Sequence, residues 1–264
     1  MNKVVSLSGV IMKSIVRWGA VLSLVGSVLL GPSLTANSSR ALALPPEQIM
    51  QKLRAVPVFT ITDENGSPLV ASTSEGGQGA SVTGVFISRQ DALAFVDRLT
   101  TQNPELANNV QVVPVSLAEV YQLAQQMQNN PEQLGFDFVP VDRQVNLALE
   151  VLREDGKEVE QFNGVPLFLA TGGPDNGYLT VQNGNQQVIP LFFNKEELDR
   201  VLDQFRTQNP DLAGTVDVQV VNLQGVIQLL QESNDSELNK IMLIPPRESI
   251  DYVRSLQPQS GGQQ

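Results

Sequence analysis

The chain contains neither cysteine nor histidine among its 264 residues. The missing cysteines exclude disulfides, cysteine-ligated zinc and a thiolate nucleophile. The missing histidines exclude a Ser-His-Asp relay and an imidazole base near neutral pH. Asp, Glu, Lys, Ser, Thr and Tyr remain, which is a small set for acid–base catalysis. We therefore expect a protein that is not an enzyme and that holds no cofactor and no metal.

Positive charge is also scarce, because 17 Lys and Arg face 28 Asp and Glu and give a net charge of −11. This sign opposes binding to nucleic acids and to anionic lipid surfaces. We expect no nucleic-acid partner and at most peripheral contact with a membrane.

The first 43 residues contain no acidic side chain and carry four basic ones, at Lys3, Lys13, Arg17 and Arg40. Residues 18–30 form an uncharged, largely apolar run, and Ala41-Leu42-Ala43 supplies small residues at a cleavage site. This arrangement predicts a secretory signal peptide, residues 1–43, cut after Ala43. The alternative is an uncleaved anchor. Cleavage leaves 221 residues with 28 acidic and 13 basic side chains, a net charge of −15.

Residues 85–123 resemble residues 191–229 at a constant offset of 106, with 15 identities in 39 positions. The identities include the repeated tetrapeptide Thr-Gln-Asn-Pro at 101–104 and 207–210. Two copies are too few for a solenoid. The pattern therefore predicts one duplicated fold, with halves at 44–156 and 157–257 and a disordered tail at 258–264.

The secondary structure can be deduced in both copies. Apolar, β-branched segments bounded by turn residues predict strands, and Asn183-Gly184 predicts a hairpin. Ser88 and Asn194 are typical N-cap residues, and Asn194 with Glu197 approximates a capping box. Ser116 and Asn222 are predicted to cap a second helix in each half. The fold class is thus α/β, with mixed sheets and helices and pseudo-two-fold symmetric β-hairpin-βαβαβα halves.

Motifs that could carry chemistry have simpler structural explanations. Asp137 and Asp142 flank a strand-to-helix junction, but Met242 and Arg247 replace them in the second copy, so solvated surface acids are favoured. The turns at 63–66 and 175–177 lack the remainder of a calcium loop. The glycine-rich segment 73–81 lacks the lysine of a P-loop and is interpreted as a flexible linker.

The start of the predicted mature chain and both copies together resemble the Tic22 family. The matching segments are Leu44-Pro45-Pro46-Glu47-Gln48, then KLRAVPVFTITDENGSPLV, and the paired segments GVFISRQDALAFVDRLTTQNP and PLFFNKEELDRVLDQF. The resemblance covers residues 44–257 and is closest to cyanobacterial members. It implies a pseudo-symmetric α/β fold with hydrophobic pockets on two sides and no catalytic residues to carry over. In plastids, related proteins lie between the envelope membranes and assist preprotein import.

The resemblance further implies a soluble protein of the periplasm or the thylakoid lumen, with a role in outer-membrane biogenesis. Expected partners are unfolded or outer-membrane precursor proteins and an Omp85-type outer-membrane protein. We expect a chaperone-like accessory factor in protein transport that holds clients in hydrophobic grooves. The alternatives are a structural adaptor for the Omp85-type partner and a carboxylate-based envelope hydrolase.

Candidate groove residues come from the large apolar side chains, because Trp18 is the only tryptophan and lies in the predicted signal. Phe136 and Phe138 alternate on one strand face and correspond to Ile241 and Leu243. The repeat favours core positions for them, yet they are also the best candidates for client contacts. The candidates are Phe59, Phe136, Phe138, Phe168, Ile241 and Leu243.

Overall fold

The computed structural model describes residues 44–72, 81–127, 134–173, 176–233 and 235–257. The predicted signal peptide, nearly all of the glycine-rich linker and the predicted tail lie outside these residues. No helix in the described ranges is both long enough and apolar enough to span a membrane.

The first half contains a sheet and five helices among the described residues. Its strands are β1 (Pro57–Asp63), β2 (Val70–Ser72), β3 (Ser81–Phe86), β4 (Val110–Ser116) and β5 (Leu134–Val139). Its helices are α1 (Pro46–Arg54), α2 (Arg89–Gln102), α3 (Pro104–Ala107), α4 (Leu117–Met127) and α5 (Asp142–Glu154).

The second half repeats this order. Its described strands are β6 (Pro166–Gly172), β7 (Gly177–Tyr178), β8 (Val181–Asn183), β9 (Gln186–Phe192), β10 (Asp217–Asn222) and β11 (Ile241–Ile244). Its described helices are α6 (Lys195–Gln208), α7 (Leu223–Glu232) and α8 (Arg247–Leu256), with 3-10 turns at Pro210–Thr215 and Ser236–Lys240. The hairpin predicted at Asn183-Gly184 is confirmed, with Gly184 at φ 59°.

The main strands of the two sheets correspond, although the first sheet has five described strands and the second has six. In the first sheet, β1 lies antiparallel to β4 and β3, and β5 lies parallel to β3 at the edge. In the second sheet, β6 lies antiparallel to β10 and β9, and β11 lies parallel to β9 at the edge. The mixed α/β class predicted from the sequence is confirmed. Common ancestry of the halves by duplication stays a prediction.

Successive side chains of a strand point to opposite faces of its sheet. In both sheets apolar side chains are buried on both faces. On the first sheet Val58 and Val85 face a central core, which Leu167 and Leu191 enter from the second sheet. Helices α1, α4 and α7 contribute to the same core through Ile49, Leu53, Leu117, Val120, Leu223, Val226 and Leu230. The halves therefore share one hydrophobic interior.

The outer faces are covered by helices that cross between halves. Helix α5 ends the first half but packs on the second sheet, where Ala148 and Leu152 join Phe168. Helix α8 ends the second half but packs on the first sheet, where the Tyr252 ring lies 5.9 Å from that of Phe59. Each half thus supplies one covering helix to the other.

The side-chain caps agree with the sequence in three of four cases. The Ser88 hydroxyl accepts a hydrogen bond from Gln90 N, and Asn222 Oδ1 accepts one from Gly225 N. Ser116 and Glu119 form a full capping box. Asn194 occupies the N-cap position of α6 as predicted, but its side chain caps no backbone N–H. Gln144 of α5 does so instead, accepting from Lys195 N at 2.9 Å.

Candidate binding grooves

An apolar surface groove lies between α4, α7 and the edge strand β5, with a cavity volume of about 170 Å³. It is smaller than a typical drug-sized ligand pocket, which is about 300 Å³ or more. Its size suits a few side chains of another polypeptide. Its lining residues are Leu117, Val120, Tyr121, Ala124, Gln125, Phe136, Phe138, Gln224, Ile227, Gln228 and Gln231. We call this the open groove.

Sequence periodicity explains the lining. Alternation along β5 places Phe136 and Phe138 on the groove side, while Asp137 between them is exposed. On α7 the lining residues recur at 224, 227, 228 and 231, which is the spacing of one helix face. The result is an apolar floor with a rim of glutamine amides and no charged side chain in the lining.

The two helices of the open groove are joined by a hydrogen bond. Gln231 Nε2 donates to Tyr121 Oη at 3.0 Å. Tyr121 is buried, so its hydroxyl needs a partner, and the bond fixes the relative position of α4 and α7 at one end. Two of the other rim glutamines also have partners, because Gln224 Oε1 accepts from Val165 N at 3.3 Å and Gln228 Nε2 donates to Glu232 Oε1 at 3.0 Å.

A second and smaller cavity, of about 50 Å³, lies between the second sheet, α7 and the 3-10 turn at 236–240. It is mainly apolar, with Ile241, Leu238 and Tyr178 in its lining. Burial, and secondarily the charge of Asp235, raises the pKa of the Tyr178 phenol.

Two carboxylates at the second cavity already have structural partners. Asp235 Oδ1 accepts from Glu237 N, and Glu237 forms an ion pair with Lys240 at 2.9 Å. Within the described ranges no group of three or more Asp and Glu side chains is placed to hold a metal. The chemistry that the two cavities offer is therefore apolar contact with amide hydrogen bonding.

The six candidate groove residues divide into two sets. Phe136 and Phe138 line the open groove, and Ile241 lines the second cavity. Phe59 and Phe168 have no exposed surface, and Leu243 is 3% exposed. Placing these three in a surface groove is corrected, because β1 and β6 are inner strands and α1 and other core residues pack around Leu243.

Ile227 and the rim glutamines were not among the sequence candidates. The signal was present in the repeated helix face, where Tyr121 and Ile227 occupy matching positions in the aligned copies. Sequence reasoning assigned this face to the core, and only the packing of α4 beside α7 shows that part of it reaches the surface.

The fold and the groove together define a two-sheet α/β protein with an apolar binding surface. The chain belongs to the Tic22-like family, whose model matches residues 4–255. It is 27% identical to the chloroplastic TIC 22 protein of Arabidopsis thaliana over 226 residues, 85% of this chain and 76% of that protein. It is also 27% identical to the chloroplastic TIC 22 protein of Pisum sativum over 208 residues, 78% of this chain and 75% of that one.

Solved structures show the same fold. Tic22 of Anabaena, a protein described as acting in protein transport, superposes with a TM-score of 0.71 at 37% identity, over 81% of this chain and 98% of that one. Tic22 of Plasmodium falciparum superposes with a TM-score of 0.60 at 20% identity, over 79% and 96%. The family is therefore one of protein transport.

Proposed function

We propose that this protein is an exported, non-enzymatic, chaperone-like accessory factor in protein transport and outer-membrane biogenesis. It holds apolar segments of unfolded or outer-membrane precursor proteins in the open groove. The observation that carries the proposal is the open groove itself, an uncharged apolar surface with Phe136, Phe138 and Ile227 accessible at a helix–strand junction. The membership of the Tic22-like family supports the transport role.

The energetics fit reversible holding. Burial of apolar surface recovers about 25 cal/mol per Å², and ordering of the client offsets much of it. A groove of this size therefore gives weak binding that releases its client readily. The net charge of −11, or −15 after removal of the predicted signal, keeps the complex soluble.

The place of action is proposed as the periplasm or the thylakoid lumen, with an Omp85-type protein as the receiving partner. The acid-free, basic N-terminal segment supports export. Chloroplastic relatives support a location along an envelope transport route.

Light scattering of an aggregating outer-membrane β-barrel protein tests the holding activity. We expect a stoichiometric amount of this protein to suppress the scattering. Ile227→Gln removes apolar surface from the groove on an accessible helix face and should weaken suppression several-fold. Leu212→Gln is the matched control, because Leu212 is 40% exposed and lies outside the groove lining.

Unchanged aggregation with the native protein, or equal loss with both variants, contradicts the proposal. A pull-down from periplasm then separates the adaptor alternative. A single stoichiometric Omp85-type partner without clients favours an adaptor, and many unfolded precursors favour the chaperone-like role.

A further inference from the structure

The elements that form the open groove occur a second time in a matching arrangement. Helix α4 corresponds to α7 at the repeat offset of 106, and strand β5 corresponds to β11 after a one-residue gap, at an offset of 105. The open groove is formed by α4, α7 and β5. If each of these elements is replaced by its counterpart in the other half, the set becomes α7, α4 and β11. That second set is in contact with helix α1, which packs on all three of its members. Helix α1 thus occupies the counterpart of the open groove.

Exposure of matching residues shows the same relation. Ala118, Tyr121 and Leu243 lie in one core cluster with Ile49 and Leu53 of α1 and are buried. Their counterparts toward the open groove are Gln224, Ile227 and Phe138, and all three are half-exposed. The site that holds α1 is closed by it, and no helix in the described part of the chain covers the matching site in this way.

Helix α1 binds its site in a defined way. Ile49 and Leu53, four residues apart, turn one apolar face to the core. Lys52, just before Leu53, donates through Nζ to the carbonyl oxygens of Asn239 and Ile241, at 2.8 and 2.9 Å. The contact combines an amphipathic helix with one cation that reaches backbone carbonyls at the edge strand.

The open groove presents a counterpart of one of these acceptors, the Ile241 carbonyl. Phe136 of β5 pairs with Thr83 of β3, and its counterpart Ile241 of β11 pairs with Ile189 of β9. The two pairs have the same register, so the carbonyls of Phe136 and Ile241 have the same orientation. The Val139 carbonyl accepts from Ile87 N on the β3 side, and alternation directs the Phe136 carbonyl to the opposite side. Among the described strands β5 pairs only with β3, so this side carries no strand.

We propose that the open groove binds a cationic amphipathic helix of a client, with two apolar residues four positions apart and Lys or Arg just before the second. This inference rests on the proposed function, because it names the class of client segment. The rim of the open groove consists of uncharged glutamines, so the polar flank of a helix can lie against it without charge repulsion. The negative charge of the protein favours a cationic helix over an acidic one.

Site-specific photo-crosslinking tests this assignment, because the chain has no cysteine and one can be introduced at will. Gln228→Cys places a benzophenone label on the exposed rim of the open groove. Gln122→Cys places the same label at the matching exposed position of α4 and is the control. The probe is a stapled helical peptide with the sequence of residues 44–56. Stapling is needed because so short a helix is marginal in water.

We expect the helical peptide to crosslink at position 228 and not at 122. Ile227→Gln should lower its affinity about tenfold through lost apolar burial. Replacing the peptide lysine by norleucine should lower affinity several-fold. The assignment is overturned if an extended peptide of alternating apolar residues crosslinks as well, if the label at 122 reacts equally, or if a second copy of the chain occupies position 228.

The aggregation assay run in parallel separates the two proposals. Suppression of aggregation without helix binding at 228 removes this inference and leaves the chaperone-like role. Helix binding at 228 without suppression removes the chaperone-like role and supports the helix site.

Discussion

The outer faces of the two sheets differ although the main strands of the sheets correspond. Each carries a paired phenylalanine, Phe59 with Phe86 in the first and Phe168 with Phe192 in the second. The outer cluster of the first sheet has four buried members in the described chain, and that of the second has ten. Half of the difference comes from the exchanged helices, because α5 buries three apolar side chains there and α8 buries only Ser249. Matching sheets are therefore stabilised unequally by the helices that they exchange.

The largest effect should come from removing the matched rings. Phe168→Ala and Phe59→Ala each delete a fully buried ring, which costs about 3–5 kcal/mol. We expect Phe168→Ala at the upper end, because its surroundings are tightly packed. Around Phe59, the partly buried Tyr252 can move into the space and reduce the cost. The free energy of unfolding from urea denaturation measures both.

Equal losses in these two variants would contradict the inequality of the outer faces. Tyr252→Ala combined with Phe59→Ala sharpens the result. If Tyr252 relaxes into the cavity, the double variant should lose more than the sum of the single losses.

A smaller effect is expected at the starts of the matching helices α2 and α6. Ser88 caps α2 locally, so Ser88→Ala should cost about 1 kcal/mol. Gln144 caps α6 from α5 and also donates to Glu196 Oε2 at 2.7 Å. Gln144→Ala removes the hydrogen-bond partner of the Lys195 N–H and of Glu196 Oε2 and should cost about 1–3 kcal/mol. Chemical denaturation compares the two, and a cost for Gln144→Ala below that for Ser88→Ala would contradict the capping across helices.

Gln90→Ala is the control for this pair. The Gln90 backbone N–H donates to Ser88, and alanine retains it. The variant should stay within about 0.5 kcal/mol of the native protein.

The smallest effect concerns matching carboxylates at these helix starts. Glu197 accepts from Arg247 N, whereas its counterpart Asp91 has a buried oxygen without a hydrogen-bond partner. Burial, and then the charge of Asp142, raises the pKa of Asp91 above its usual value of 3.8. The folded state therefore holds the Asp91 proton more tightly than the unfolded state. The free energy of unfolding falls as pH rises from the pKa of the unfolded state through that of the folded state. Asp91→Asn should therefore gain stability relative to the native protein between pH 3 and pH 7.

Glu196 provides the opposite case. Burial alone would raise its pKa, but the hydrogen bond from Gln144 and the ion pair with Arg143 outweigh burial and lower it. Its contribution is present above the unfolded pKa and is lost as pH falls through the folded one. Glu196→Gln should lose stability relative to the native protein over the same rise in pH. Thermal melts of both variants at pH 3 and pH 7 measure the two changes in stability. If both variants shift in the same direction relative to the native protein, the two opposite pKa directions are contradicted.

Most of the fold could be predicted from the sequence, because each local pattern occurs twice. The hairpin at Asn183-Gly184 and the caps at Ser116 and Asn222 appear as predicted. Helix α1 could not be deduced in this way, since it has no counterpart in the second copy. The pair Pro45-Pro46 is also typical of an irregular segment. The sequence also could not predict that α5 and α8 each cover the sheet of the other half. Periodicity indicates which face of a helix is apolar but not which sheet that face contacts.

The groove was predicted only in part for a related reason. Alternation correctly grouped Phe136 with Phe138, yet the same reasoning placed Phe59 and Phe168 beside them. Whether an apolar strand face is covered depends on elements distant in the sequence. Tyr252 for Phe59 and Leu152 for Phe168 supply that cover, and neither pairing follows from the repeat.

The exchange of covering helices has a consequence for the order in which the protein is made. Synthesis proceeds from the N-terminus, so the first sheet is complete once β5 has left the ribosome. Helix α2 of the same half packs on its outer face through Ala92 and Val96, but Phe59 lacks its contact with Tyr252 until α8 at residues 247–256 has followed. The cover of the first sheet is therefore completed only near the end of the described chain, and a ribosome-bound or truncated form would itself expose an aggregation-prone surface.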